Sequence, residues 1–218
     1  MKCSDCGIVV KPIVAVDIDG TLGNYHAHFE EFMEGYFDKR VNAGCLYAGG
    51  EAMSTWALRE FGVNRAQFRD CKLAYRQGGL KRTMPLFDGA ADLCERVRAA
   101  GAELWLTTTR PYLRLDNVDP DTREWLRRKG IQYDYLMYDE DKYQVLHDRL
   151  ESPERVVAIV DDLSTNISEA QQHFHWDAAV WVRTIWNDKD GPPEVGVPME
   201  VVAKIIEIKI EEWTSKHE

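Results

Sequence analysis

Two aspartates separated by one residue, Asp17 and Asp19, end an apolar run and are followed at once by Gly20 and Thr21. Carboxylates this close repel each other, and a divalent cation relieves the repulsion. Magnesium prefers oxygen ligands, keeps several waters, and often needs only one or two carboxylates plus a substrate phosphate. A metal-neutralised aspartate can attack phosphorus and become an aspartyl-phosphate. A second aspartate nearby can then protonate the leaving oxygen and later activate water. The same residues also suit an ordinary turn with solvated side chains, because a lone Asp-x-Asp-Gly matches many loops. An EF-hand calcium loop is excluded: its sixth position must be glycine, and here it is Leu22.

The elements around these residues read as an α/β chain. Residues 13–16 form a short, wholly apolar run, the signature of a buried parallel strand. In an open α/β sheet, ligands bind just past the carboxyl ends of the strands, which is where Asp17 and Asp19 fall. Residues 103–107 are a further strand that runs into Thr108, Thr109, Arg110 and Pro111. Hydroxyls followed by arginine suit a phosphate-binding turn, although threonine also simply favours strands. Residues 156–160 are another fully apolar strand, and it ends in Asp161 and Asp162. Residues 133–137 and 178–183 supply two more. Lys142 stands upstream of the last acidic pair, after Asp139, Glu140 and Asp141.

Helices fill the intervals. Tyr25, His28, Phe29, Phe32, Met33, Tyr36 and Phe37 recur with helical spacing, and Glu30, Glu31, Glu34 and Asp38 are expected to face outward. A glycine-containing loop follows at 42–50. A second helix at 51–61 stops at Gly62, in the manner of a C′ glycine. A third begins after Asn64, a good N-cap, and ends at Gly78 and Gly79. This stretch, 25–82, interrupts the α/β rhythm and reads as an inserted helical cap on a core made of 1–24 and 83–218. Later helices are expected around Ala90 to Val97, after Asp119 and Pro120 in N-cap and N1 positions, around Ile167 to Phe174, and over 199–213.

Composition narrows the function. The 218 residues are 44% hydrophobic with a net charge of -10, enough for a sizeable core and unfavourable for broad nucleic-acid binding. No apolar run is long enough to span a membrane and no signal-peptide pattern opens the chain, so a cytoplasmic protein is expected. Cys3, Cys6, Cys45, Cys71 and Cys94 are an odd, scattered set that does not suggest a disulfide framework. Cys3 and Cys6 make only half of a zinc knuckle, and a free pair is the expected state.

Taken together, Asp17-Ile18-Asp19-Gly20-Thr21, a threonine at the second strand's end, Lys142, and Asp161-Asp162 resemble the four motifs of the haloacid-dehalogenase-type phosphohydrolase superfamily. The resemblance covers nearly the whole chain after the first ten residues. It implies a Rossmann-like parallel sheet with helices on both faces, plus a small helical cap inserted after the first strand. It implies Asp17 as nucleophile and Asp19 as acid and base, with Thr108 (Thr107 as the alternative) and Lys142 on the phosphoryl oxygens. It implies Mg2+ held by Asp17, the Asp19 carbonyl, Asp161 and Asp162. An aspartate two residues after the nucleophile implies a phosphatase, whose leaving group needs a proton.

Within the superfamily the chain is most similar to the 5′(3′)-deoxyribonucleotidases. Tyr25 matches an aromatic that lines the nucleoside pocket there, and Trp56 to Gly62 matches an aromatic-rich cap stretch. Aromatic faces can hold a base by stacking. Thr109 and Arg110 are further candidate substrate contacts. The chain departs from that family at Thr55, at Arg110 and at Leu163, which bears on base preference. The resemblance implies a Mg-dependent phosphomonoesterase acting on nucleoside monophosphates. The alternatives are a polynucleotide 3′-phosphatase, a phosphatase of another small phosphorylated metabolite, and a catalytically silent binding protein. The partner is a small phosphomonoester; nucleic acid and membrane are disfavoured, and a homodimer is compatible with the sequence.

Overall fold

The computed structural model describes residues 10–41, 53–111, 115–184 and 197–217. Cys3, Cys6, Cys45 and the expected loop at 42–50 lie outside them. Five strands, β1 (Ile13–Asp17), β2 (Glu103–Thr108), β3 (Tyr135–Tyr138), β4 (Val156–Asp161) and β5 (Ala179–Trp181), form one sheet in the order β3-β2-β1-β4-β5. Every neighbouring pair is parallel. All of β1 is buried, as a central parallel strand covered on both faces requires.

Alternation along β1 divides its side chains between two cores. Val14 and Val16 join a cluster with α4 (Ala90–Ala99), α5 (Val118–Arg128) and α8 (Met199–His217). Ile13 and Ala15 join a second cluster with α6 (Lys142–Arg149) and α7 (Ser164–His173) on the opposite face. Burying each such aliphatic side chain is worth roughly 1.5–3 kcal/mol, so β1 is the costliest strand to disturb. The chain leaves β1 toward β2 on one side and reaches β4 on the other. That reversal opens a crevice beyond the strands' carboxyl ends, and Asp17 and Asp161 end the two strands that flank it.

Among the described residues, four α-helices lie between β1 and β2 in the chain; the first three, α1 (Tyr25–Tyr36), α2 (Met53–Phe61) and α3 (Arg65–Gln77), form a separate unit. They share a small core of Phe29, Met33, Trp56, Ala57, Phe61, Cys71 and Tyr75. A capping box starts α3: the Asn64 side chain accepts from the Gln67 N–H, and the Gln67 side chain accepts from the Asn64 N–H. Reciprocal capping of this kind satisfies two otherwise orphaned donors. Two contacts tie the unit to the sheet's layers. Arg82 Nε lies 2.5 Å from Asp121 Oδ1, and Asn117 Nδ2 donates to the Arg76 carbonyl at 2.7 Å.

Local expectations shift in three places. α5 begins two residues early, at Val118 after Asn117. Pro120 therefore sits in the first turn, where its missing N–H has no partner to lose. α6 is an element the sequence reading lacked; its inward face is only Lys142, Tyr143 and Leu146, too short a stripe to stand out. Glu30, expected outside, is buried at 6% exposure. No helix among the described residues is long and apolar enough to cross a membrane.

Candidate active site

Asp17 ends β1 and is almost wholly buried. Lys142, the first residue of α6, places its Nζ 2.5 Å from Asp17 Oδ1 and 2.6 Å from Asp161 Oδ2. The ammonium is itself buried. Burial alone would lower the Lys142 pKa, but Asp161 and Asp17 raise it well above the usual lysine range. Burial pushes the Asp17 carboxyl well up, Lys142 pulls it down, and Asp161 and Asp162 raise it again. The floor of the crevice thus gathers three buried carboxylates around one ammonium.

These three carboxylates differ in what they already hold. Asp161 is saturated: besides Lys142 it accepts from the Tyr143 hydroxyl at 2.6 Å, the Leu163 N–H at 2.9 Å and Asn166 Nδ2 at 3.1 Å. It orients Lys142, and its expected place among the metal ligands is corrected accordingly. Asp17 Oδ2 accepts no hydrogen bond from any described residue. Asp162 accepts from Thr21 Oγ1 at 3.2 Å, and His26 Nε2 stands 3.9 Å from its Oδ2. Gly20 makes the approach of Asp162 possible. Its φ is +102°, and a Cβ there would fall 2.3 Å from Asp162 Oδ2.

This donor set fits magnesium. It is all oxygen, it carries more negative charge than Lys142 offsets, and it lies at the end of a rigid strand. The turn's own hydrogen bonds run from Gly20 to the Gly23 carbonyl and from Leu22 and Gly23 to that of Ile18, so none uses the Asp19 carbonyl. No group of three His, Cys, Asp or Glu side chains closes around one point among the described residues. Two carboxylates, Asp17 and Asp162, with one carbonyl suffice for an ion that retains waters.

Asp19 is surrounded differently. Arg110 grips it with Nη2 2.6 Å from Oδ1 and Nε 3.0 Å from Oδ2, and Lys81 Nζ approaches Oδ2 to 2.6 Å. Burial would raise the Asp19 carboxyl, yet Arg110 and Lys81 overcome it and hold the group far below the usual carboxylate range. Burial lowers Lys81 to about 7, against the pull of Asp19. Lys81 also lies 4.0 Å from the centroid of the Tyr25 ring. The sequence does not single out Lys81; the one local signal is the Gly78-Gly79 turn just before it.

The threonines divide by face. Thr107 opposes Asp17 in the β1–β2 register, so the two side chains share a side of the sheet. Its hydroxyl is buried with no partner among the described residues, a costly state that calls for a ligand. Thr108, on the other face, accepts the Arg110 N–H at 3.4 Å. The position beside Asp17 belongs to Thr107, the alternative, rather than to Thr108.

Above the carboxylates lies a cavity of about 230 Å³. Asp19, Asp162, Thr109 and Arg110 line it from the sheet side, and Tyr25, Lys72, Arg76 and Lys81 from the helical unit. Trp56 does not reach it. The indole is fully buried in the helical unit's core, edge-on to Phe61, so its expected contact with substrate is corrected to packing. Tyr25 lines the cavity, but Phe29 stacks on its ring at 5.6 Å between centroids. A larger cavity of about 640 Å³ opens among α4 and the residues after α5, lined by Ala91, Glu95, Arg98 and Lys129 among others. It lies apart from the strand-end carboxylates and offers no comparable pairing of acids with cations.

No protein-family model matches the chain, and no curated protein matches it. Solved structures do. A haloacid dehalogenase-like family hydrolase, SP0104 of Streptococcus pneumoniae, is 14% identical with a TM-score of 0.52 over 79% of this chain and 85% of its own. A predicted phosphatase from Clostridium acetobutylicum is 15% identical with a TM-score of 0.58 over 91% and 99%. The candidate hydrolase YfnB of Bacillus subtilis, solved bound to magnesium, is 16% identical with a TM-score of 0.58 over 90% and 98%. Identities this low speak for architecture alone, and the architecture is consistent across them: the chain has the fold of the haloacid dehalogenase-like hydrolases.

Proposed function

We propose that the chain is a magnesium-dependent phosphomonoesterase that works through an aspartyl-phosphate on Asp17, with α1–α3 as its cap. One observation carries this reading: Asp17 ends a strand with its Oδ1 on the Lys142 ammonium, its Oδ2 accepting from no described residue, and Thr107 as its register partner, whose buried hydroxyl finds no partner among the described residues. Asp17, Asp162 and the Asp19 carbonyl would hold Mg2+, as the magnesium-bound YfnB encourages. The ion supplies charge neutralisation for the phosphoryl oxygens and for the attacking carboxylate.

The chain's own residues account for the rest. Lys142 orients the Asp17 carboxylate and, with the Thr107 hydroxyl, holds the transferring oxygens. Arg110 and Lys81 keep Asp19 ionised before substrate arrives. An incoming phosphoryl group competes for both cations, and as they turn to it the Asp19 carboxyl recovers the capacity to carry a proton. Asp19 can then protonate the leaving oxygen and afterwards draw a proton from water.

The resemblance to deoxyribonucleotidases favours a nucleoside monophosphate, with Tyr25 as the aromatic nearest the phosphate. A second reading, a compact non-nucleotide metabolite, is favoured by the burial of Trp56 and by the 230 Å³ of space, below the ~300–1,000 Å³ usual for larger ligands. The test is magnesium-dependent phosphate release from nucleoside 5′- and 3′-monophosphates, sugar phosphates, a 3′-phosphorylated oligonucleotide and p-nitrophenyl phosphate. Asp17→Asn is expected to lower turnover on the order of 10³-fold or more while the melting curve stays cooperative. Turnover near wild type in that variant would remove the mechanism.

A further inference from the structure

The sequence carries a net charge of -10, yet four of the residues lining the strand-end cavity are cations: Lys72, Arg76, Lys81 and Arg110. Only two acids, Asp19 and Asp162, line it with them. Lys81 and Arg110 are taken by Asp19. Lys72 and Arg76 form no ion pair with any described residue, although both face the same space. They sit four residues apart on α3, where like charges are mutual neighbours and destabilise a helix. Burial lowers Lys72 further, Arg76 adds to this, and Asp19 opposes it. A helix that concentrates cations on one inward face, at a cost, is organised for an anion.

A single phosphoryl group does not use this arrangement up. Its two negative charges would meet Lys142 and Arg110 from the sheet side and Lys81 from the end of the helical unit, beside the ion that Asp17 and Asp162 would hold. Lys72 and Arg76 line the cavity from α3, and neither is taken by Asp19. They would meet the part of the substrate that is not being hydrolysed.

We infer that the substrate carries a second anionic group, a phosphate or carboxylate on the non-reacting end, held by Lys72 and Arg76 of α3. This rests on the phosphomonoesterase reading above and deepens it. Compatible chemistry includes bisphosphates and phosphorylated acids among small metabolites, and bisphosphates among nucleotides. A neutral hydroxylated tail would leave both cations unpaired.

The experiment compares matched pairs: hexose 6-phosphate with hexose 1,6-bisphosphate, and adenosine 5′-monophosphate with adenosine 3′,5′-bisphosphate. Within at least one pair the doubly anionic member is expected to have a kcat/KM at least tenfold higher, chiefly through a lower KM. Lys72→Gln and Arg76→Gln should each reduce that preference several-fold, and the double variant should abolish it. The inference is overturned if no pair shows a preference, or if the preference survives in the double variant. A second arm needs no turnover: inorganic pyrophosphate should bind wild type at least tenfold more tightly than orthophosphate in calorimetry without magnesium, and the double variant should lose that difference. No release from any phosphomonoester would sink the enzymatic reading alone, and equal binding of the two anions would then sink the second-anion site separately. Melting curves verify that both variants fold.

Discussion

At the floor of the crevice one ammonium, Lys142, serves two carboxylates. In its wall two cations, Arg110 and Lys81, close on the single carboxylate of Asp19. Asp17 and Asp19 are two residues apart, share the same turn and are both raised by burial, yet their charged neighbours carry them to opposite outcomes. Asp17 stays raised because burial, with Asp161 and Asp162 adding to it, outweighs the single Lys142; Asp19 is lowered because Arg110 and Lys81 together outweigh burial. A nucleophile that must receive a cation and an acid–base group that must change protonation need different surroundings. Here the first comes from the sheet and α6, and the second depends on a cation, Lys81, from the end of the helical insertion. The chemistry of Asp19 is therefore tied to how that insertion sits, while the chemistry of Asp17 is not.

Removing the floor's single cation should have the largest effect. Lys142→Met leaves the Asp17 and Asp161 carboxylates buried without their shared partner, and loss of one member of such a pair costs about 3–5 kcal/mol. A strongly lowered melting temperature is expected, with loss of turnover. Adding Asp17→Asn to it should restore part of the stability, because one uncompensated carboxylate is gone. If the double variant melts no higher than Lys142→Met, the charge crowding assigned to the floor is wrong. The wall should give more softly. Arg110→Gln leaves Asp19 with Lys81, and the Asp19 side chain keeps 22% of its exposure, so a loss of about 1–2 kcal/mol is expected in denaturant unfolding. Arg110→Lys should recover less than half of it, since a point charge cannot reproduce the two-pronged contact with Asp19. Equal losses for Lys142→Met and Arg110→Gln would erase the contrast between floor and wall.

Much of this arrangement could be read from the sequence because the strands announce themselves. β1 and β4 are unbroken apolar runs ending in acids, and a strand end in a parallel sheet is a site by topology. The capped start of α3 at Asn64 and its stop at Gly78 were equally plain. What escaped were features settled by one residue of register or by distance in the chain. Thr107 and Thr108 are indistinguishable by type, and only the ladder with β1 decides which stands beside Asp17, since a shift of one residue changes the face. Lys81 lies 62 residues from Asp19 in a stretch with no motif. Trp56 matched an aromatic pattern, but its spacing from Phe61 serves the small core of the helical unit. An indole that completes a core and an indole that holds a base look the same in one sequence.

Glu30 extends the contrast to a further buried carboxylate, one that no described cation pairs with. It lies in α1 next to Phe29 with 6% exposure, and no described residue donates to it. Burial raises its carboxyl to about 7, with Glu34 adding to the rise. The sign follows from proton binding. Between about 4.5, the ordinary value, and about 7 the folded chain binds more protons than the unfolded one, so stability falls as pH rises through that window. The contribution present below pH 4.5 is gone above pH 7. Glu30→Gln removes the titration and keeps the shape, so the variant should gain about 1–2 kcal/mol over wild type at pH 8 and nothing at pH 4. Thermal unfolding of both proteins across pH 4–8 reads this directly. A constant offset between the curves would mean that Glu30 is held by a partner in solution, and the helical unit would then balance its buried charge as the wall does.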